Sequence, residues 1–337
     1  MPASRYGSGL DFELPILELE AKIEELRSFS QSTDVDLSDQ IERLRDRCNE
    51  KKKAIFSKLS PWQRVQLARH PDRPLATDYV QMFVDGFVEL HGDRAFGDDP
   101  SILTGLGTID GHRVMVVGHH KGKDTSEKVS CHFGSSHPEG YRKAMLKMKL
   151  AAKFDIPIVS LIDTPGAYPG LGAEERGQAF VIANNLMEMS GLRVPIVCAV
   201  IGEGGSGGAL GIGVGNRMLM MEHSYYSVIS PEGCAAILWK SASYKEKAAE
   251  ILKLTGADLL AFGVVDEVLA EPLGGAHRDP REAADTLKDA ILRHLGELSR
   301  LSGEELVKDR YEKFQKIGVF ECGGNGSTGS RNGKDSR

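Results

Sequence analysis

The chain has 337 residues, 41% of them apolar and 27% charged, and carries a formal net charge of −6. That length can bury a sizeable core in one large domain or two smaller ones, and the composition is that of a soluble globular protein. The acidic balance argues against a dedicated nucleic-acid binder. The runs Ile156–Ile162 and Pro195–Ile201 are far shorter than the ~20 residues a membrane helix needs. The opening MPASRYGSG has no apolar signal-peptide core and does not read as a transit peptide. Five cysteines (Cys48, Cys131, Cys198, Cys234 and Cys322) lack a CxxC pair or a Cys/His zinc spacing. No disulfide framework or metal is therefore expected in this chain, and the compartment is read as reducing and cytoplasmic.

In chain order, Ile16, Leu19, Ile23 and Leu26 form one helical stripe, and Leu37, Ile41, Leu44 and Cys48 form another. The polar break SFSQSTDVD separates them, with Asp36 or Ser38 placed to cap the second helix. A helical hairpin that covers another part of the molecule is the expectation. Pro61, Pro71 and Pro74 punctuate a linker into a predicted helix Asp78–Leu90, with Tyr79, Phe83, Phe87 and Leu90 on one side. Leu103–Ile109 and Arg113–His119 flank Asp110-Gly111, the turn pair that favours a tight β-hairpin.

From there strand, loop and helix alternate. Ile156–Ile162 leads into a Pro/Gly-rich loop and a helix from about Glu174 to Ser190. Pro195–Ile201 leads into a second glycine-rich loop and a small-residue helix near Gly207–Gly215. Runs this apolar fit strands covered on both faces, as in βαβ units. Short strands are expected at about Arg217–Met221 and Val264–Leu269, and helix over Asp279–Lys316. The glycine-rich end reads as disordered. The division expected is a helical segment 1–75, a catalytic domain 76–318 and a tail 319–337.

Both glycine-rich loops follow the carboxyl ends of buried strands, where parallel sheets hold their ligands. Gly202, Gly204, Gly205, Gly207 and Gly208 fall within seven residues. Without Cβ atoms, amides at a helix start can approach an anion or a developing oxyanion. Three motif readings compete here. Asp163–Gly166 matches the DxxG of GTPases, but no phosphate-cradling GxxxxGK[ST] exists in the chain. Gly204-x-Ser206-x-Gly208 matches a nucleophile elbow, with Asp266 and His277 in hydrolase order, so a serine hydrolase using Ser206 is the alternative function. A dinucleotide fingerprint lacks its βαβ context.

A resemblance decides among them. The stretches Leu10–Ile23, Ala68–Pro74, Pro138–Ala144, Ile162–Gln178, Ile201–Asn216, Tyr226–Lys240 and Glu271–Pro280 together resemble the carboxyltransferase alpha subunit of multi-subunit acetyl-CoA carboxylases. The resemblance covers nearly the whole chain and departs only after about Gly318.

The resemblance implies a crotonase (ClpP-like) α/β fold of repeated ββα/βαβ units, with an N-terminal helical hairpin and C-terminal helices. It also implies the carboxyltransferase half-reaction: a carboxyl group passes from carboxybiotin to acetyl-CoA, giving malonyl-CoA, the first committed step of fatty-acid synthesis. The implied partners are a beta subunit in an alpha2-beta2 complex, which carries the zinc ribbon and much of the CoA site, the biotin carboxyl carrier protein and biotin carboxylase. No membrane or nucleic-acid partner is implied, and the localisation is bacterial-type cytoplasm rather than plastid stroma. Carried onto this sequence, the oxyanion donors are Gly207 and Gly208, supported by Gly204 and Gly205. Their amides would hold the biotin ureido oxygen, and the biotin nitrogen would take the methyl proton. Gly166 and Ala167 would wall the same pocket, and Ser230, Pro231, Glu232 and Gly233 would complete it. Glu174, Glu175 and Arg176 would cap the helix that follows the first loop. Arg113–Lys153 holds nine Lys/Arg against three Asp/Glu, so Lys121, Lys123 or Lys128 is a candidate for the CoA phosphates or an acidic partner. His119 and His120 are read as structural.

Overall fold

The computed structural model describes residues 9–33 and 35–318; the expected tail, with Cys322, lies outside them. Helices Leu14–Thr33 and Ser38–Phe56 form the N-terminal hairpin. Ile16, Ile23 and Cys48, with Leu19, Ile41 and Leu44, share one cluster with Phe56, Leu59 and Leu67. Leu26 and Leu37 stand outside it. Leu37 occupies the cap position of the second helix without a side-chain bond, and Asp36 Oδ1 instead accepts from the Ser38 N–H at 3.0 Å.

The helix expected over Asp78–Leu90 is shorter and earlier. It spans Ala76–Phe83 and gives way to strand β1, Asp85–Glu89. Helical geometry ends at Val84, which is extended at φ −111° and ψ 110°, and Gly86 inside β1 takes a φ of +59° where the pairing with the next strand shifts register. Phe87 turns to cover Gly105 of the neighbouring strand, where a Cβ would lie 2.4 Å from its ring. Strands β2 (Ile102–Ile109) and β3 (His112–His119) form the expected hairpin, with Asp110 and Gly111 at φ +44° and +82°.

Strands β4 (Ile158–Thr164), β5 (Ile196–Gly205), β6 (Arg217–Met221), β7 (Tyr225–Ser227) and β8 (Glu267–Leu269) follow. The sheet order is β1-β2-β3-β4-β5-β6-β8, with β7 also paired to β5. The first three strands are antiparallel, and every pairing from β3 onward is parallel. Alternation along each strand divides the core into two layers. Val159, Leu161, Val197 and Ala199 face helices Ala76–Phe83 and Pro280–Leu298; Ile158, Ile162, Ile196 and Cys198 face helices Pro138–Lys153 and Gln178–Gly191. Both faces are covered, which is why β4 and β5 are apolar at nearly every position. No helix among the described residues is long and apolar enough to cross a membrane.

Two further boundaries differ from the sequence reading. The helix expected from Glu174 breaks into Leu171–Glu175 and Gln178–Gly191, because Gly177 adopts φ +78°. The C-terminal segment is two helices, Pro280–Leu298 and Gly303–Gln315, each started by its own cap, Asp279 and Ser302. Arg310 on the last helix is fully buried and donates to the carbonyls of Met189, Ser190, Leu192 and Val194 and to Asn216 Oδ1. It thereby satisfies the orphan carbonyls at the end of Gln178–Gly191 and ties that end to β5. Arg310→Met is expected to lower stability by more than about 3 kcal/mol in urea unfolding, since several buried carbonyls lose their donor. A loss below about 1 kcal/mol would show that water replaces the guanidinium.

Candidate active site

β4 and β5 lie side by side, with Thr164 opposite Gly204. Beyond them run the loop to Gly170 and the helix Ser206–Leu210. The two segments touch backbone to backbone. A Cβ on Gly205 would stand 2.2 Å from the Pro165 carbonyl oxygen, and one on Gly208 would stand 2.5 Å from the Ala167 nitrogen. A Cβ on Gly204 would meet the Tyr226 ring at 2.7 Å, and one on Gly202 would meet the Asp163 carboxylate at 2.4 Å. Close packing therefore accounts for four of the five glycines.

Gly207 is different. Its nearest neighbour to an added Cβ is Ile182 at 3.7 Å, an ordinary contact, and the residue is only half-buried. The amides of Ser206, Gly207 and Gly208 open the helix and have no partner within it. Gly204 and Gly205, expected as supporting donors, sit in the β5 ladder against β4 and β7. Of the wall residues, Gly166 spends its N–H on Thr164 Oγ1 at 3.1 Å, while Ala167 lies against Gly208.

Under both loops runs a chain of buried and half-buried charges that sequence reasoning missed. Lys121 Nζ contacts Asp163 Oδ1 at 2.6 Å and Glu203 Oε1 at 2.7 Å. Glu203 Oε2 accepts from Arg69 Nε at 2.6 Å and from the Tyr225 hydroxyl at 2.7 Å. Arg69 Nη1 reaches Glu232 Oε1 at 2.6 Å. Asp163 Oδ1 also accepts from the Glu203 N–H at 2.8 Å, so one carboxylate joins the ends of β4 and β5. Burial alone pushes the Glu203 carboxyl up, but Lys121 and Arg69 hold it down at about 2. Burial likewise opposes charge on Lys121, and Asp163 and Glu203 overcome it and raise its pKa. The available signal was a charged residue, Glu203, inside an otherwise apolar strand end.

This chain corrects several expected ligand contacts. Lys121 is not a surface cation for CoA phosphates; both its carboxylates are internal. Lys123 pairs with Asp78. Lys128 is half-exposed on the helix Thr125–Ser130 and has no ion pair among the described residues. Half of the other six basic residues are neutralised: Arg142 pairs with Asp93, Lys143 with Asp98 and Lys149 with Glu188. Glu232 is bound to Arg69, and Ser230 Oγ accepts from the Gly233 N–H at 3.1 Å as the cap of helix Pro231–Trp239. Pro231 is buried at its first position. Glu174 and Glu175 end a short helix rather than start a long one, and Arg176 pairs with Glu139 at 2.8 Å over the Phe96 ring. His119 is fully buried beside Tyr141, and burial pushes its pKa down to about 3; His120 is half-buried and shifted the same way.

The hydrolase constellation does not assemble. Ser206 is exposed at φ +50°, as an elbow serine would be. However, Asp266 accepts from the Met218 N–H and pairs with Lys313, while His277 contacts Glu13 at 3.1 Å and stacks on His70. Neither serves the serine.

A mixed sheet covered on both faces, with glycine-rich turns at the carboxyl ends of adjacent parallel strands, defines the class of fold, which is crotonase-like. Among solved structures, the P. aeruginosa geranyl-CoA carboxylase beta subunit superposes with a TM-score of 0.53 over 72% of this chain and 45% of that one, at 18% identity. The transcarboxylase 12S core gives 0.51 over 63% of this chain and 40% of that one, at 22% identity. The family described as acetyl co-enzyme A carboxylase carboxyltransferase-like matches residues 9–318. Acetyl-coenzyme A carboxylase carboxyl transferase subunits alpha are 55% identical in Methylococcus capsulatus, over 93% of this chain and 97% of that one. The Geobacillus sp. WCH70 relative is 56% identical over 92% and 96%. The chain belongs to the acetyl-CoA carboxylase carboxyltransferase alpha-subunit family, and it is a transferase rather than a hydrolase.

Lys121→Met leaves Asp163 and Glu203 buried without their shared cation. A loss of roughly 3–5 kcal/mol is expected at neutral pH, measured by urea unfolding. The pH sign follows from the depressed Glu203 pKa. Its stabilisation is complete above the ordinary carboxylate value and fades as pH falls toward about 2. The stability gap between parent and variant should therefore narrow as pH falls from the ordinary carboxylate value toward about 2; a gap that stays constant over that range would contradict the charge chain.

Proposed function

We propose that this chain supplies the biotin side of a two-subunit centre that moves a carboxyl group from carboxybiotin to acetyl-CoA, forming malonyl-CoA. The observation that carries this reading is the accessible first turn of Ser206–Leu210. There Gly207 is half-buried and an added Cβ would meet only Ile182, at 3.7 Å, while Gly205 and Gly208 lock the turn onto the Pro165–Ala167 backbone. A neutral donor set beside an apolar side chain fits a ureido oxygen, which is polar but flanked by hydrocarbon. Biotin, when bound there, supplies the carboxyl group and an oxygen that gains negative charge as the group departs.

The chain's own residues do the rest. Gly207 and Gly208 aim N–H dipoles at that oxygen, and because the turn is fixed beforehand, little reorganisation is needed when charge develops. Ala167 fixes the depth of the turn by contact. Lys121, Arg69 and Glu203 hold both loops from below and touch no reactant. The acyl-CoA side belongs to a beta subunit, assembled as alpha2-beta2, with a biotin carboxyl carrier protein delivering the group and biotin carboxylase reloading it. In this reading residues 76–318 form the catalytic domain and 1–75 an N-terminal helical segment that lends it Arg69. The cytoplasm is the compartment it implies.

Two measurements test this. Alone, the chain should show no malonyl-CoA decarboxylation with a biotin analogue, and activity should appear on adding the beta subunit; turnover by the isolated chain would refute the shared centre. In the reconstituted complex, Ser206→Ala should keep at least about a tenth of the parent rate, because no covalent step uses the hydroxyl. Gly207→Ala should keep most activity, since its methyl meets only Ile182. Gly207→Pro deletes a donor and should lose ~10²-fold or more, in line with roughly 2.7–4 kcal/mol for one oxyanion contact. Gly208→Val should lose as much because the side chain strikes the Ala167 backbone. Abolition by Ser206→Ala, with fluorophosphonate labelling at that serine, would restore the hydrolase.

A further inference from the structure

Beside the first loop lies a cluster that the carboxyltransferase reading does not use. Asp99 precedes β2, His132 sits in the short turn His132–Gly134, and His137 caps helix Pro138–Lys153. One ligand atom from each lies within 4.8 Å of the others. The imidazoles of His132 and His137 meet edge to face at 4.4 Å, and Tyr168 stacks on His137 at 4.1 Å.

Three observations point to a ligand rather than to packing. His132 and Phe133 are consecutive non-glycine residues in left-handed conformation, at φ +48° and +55°. Such strain persists only where the surroundings hold it, and here it turns His132 toward the other two groups. The Nδ1 of His132 is buried without a hydrogen-bond partner. The Asp99 carboxylate is oriented as a metal-binding carboxylate commonly is: Oδ2 accepts from Ser136 Oγ at 2.9 Å and from the His137 N–H at 2.7 Å, and Oδ1 accepts from the Ser101 N–H at 2.9 Å. The neighbouring cations are countered: Lys143, which donates to the Asp99 carbonyl at 2.7 Å, pairs with Asp98, and Arg176 pairs with Glu139.

The other histidine–carboxylate group, Glu13 with His70 and His277, is of a different kind. Arg278 Nη2 stands 3.3 Å from Glu13 Oε1, His277 is bonded to the same carboxylate, and His70 Nδ1 accepts from the Asp72 N–H. Although His277 Nδ1 is also buried without a partner, that cluster carries a guanidinium where an ion would go.

We propose that Asp99, His132 and His137 form a site for a borderline-soft divalent cation of the zinc class, with a fourth position left for water. Two imidazoles and one carboxylate suit that class, whereas calcium and magnesium call for oxygen donors throughout. Zinc–ligand bonds near 2.0–2.1 Å place ligand atoms about 3.4 Å apart, so the side chains close by roughly 1.4 Å or less on binding. Occupancy clamps the turn at residues 131–137 to the start of helix Pro138–Lys153. Through the stacked Tyr168 ring it stiffens the loop whose neighbouring residue, Ala167, packs on Gly208. The inference rests on this cluster and not on the carboxyl-transfer assignment.

The test is titration of the untagged full-length chain with Co²⁺, followed by its visible ligand-field absorption and by displacement with Zn²⁺. One Co²⁺ per chain is expected, with a melting temperature raised by the metal. His132→Asn suits the left-handed backbone, so its metal-free melting temperature should match the parent while affinity falls at least about tenfold. His137→Gln should weaken binding similarly, and the double variant should lose the absorption. Absence of the band in the parent would overturn the site. A band of full strength in the double variant would overturn it as well, by placing the metal elsewhere.

Discussion

The structure depends on one buried cation. Lys121 stands between Asp163, at the end of β4, and Glu203, near the end of β5, within 2.7 Å of both. Burial disfavours charge on Glu203, and removing the ammonium would leave two buried carboxylates without their shared cation. With it, the Glu203 carboxyl is held down at about 2. Asp163 is then free to accept from the Glu203 amide, and the strand ends are fastened at the point where the glycine loops begin. Arg69 extends the chain to Glu232, so the turn that starts helix Pro231–Trp239 is held by the same electrostatics.

That fastening explains the glycine content better than ligand approach alone. Loops anchored this tightly lie backbone on backbone, and Gly205 and Gly208 are the positions where a methyl group has no room. Gly207 does have room, since an added Cβ meets only Ile182 at 3.7 Å. One segment thus contains glycines required by packing and one that packing does not require.

Much of this was legible beforehand because it is local. Asp110-Gly111 declared its hairpin through the positive φ that the turn demands, and apolar β4 and β5 declared a sheet covered on both faces. Helix Asp78–Leu90 misled because Phe87 and Leu90 continue a helical spacing, while the chain turns extended at Val84 and the ring of Phe87 is claimed by Gly105 across the sheet. Lys121, Lys123 and Glu232 looked like surface ligands because charge is counted along the chain but neutralised across it; their partners lie 42 or more residues away, or on another element entirely, in Asp163, Asp78 and Arg69. Metal ligands were sought among cysteines, whereas the His132–His137 group depends on a loop from before β2 that no local spacing reveals.

The central claim is that the charge chain, rather than the loops themselves, keeps the amides of the Ser206 turn in place. Amide hydrogen exchange on Arg69→Met tests it most directly, because the substitution cuts the chain at its outer link and leaves Lys121 and both loops unaltered. The account predicts faster exchange in residues 163–168 and 203–210 together, with helix Leu14–Thr33 unchanged. Parent-like protection of both loops in that variant would contradict it.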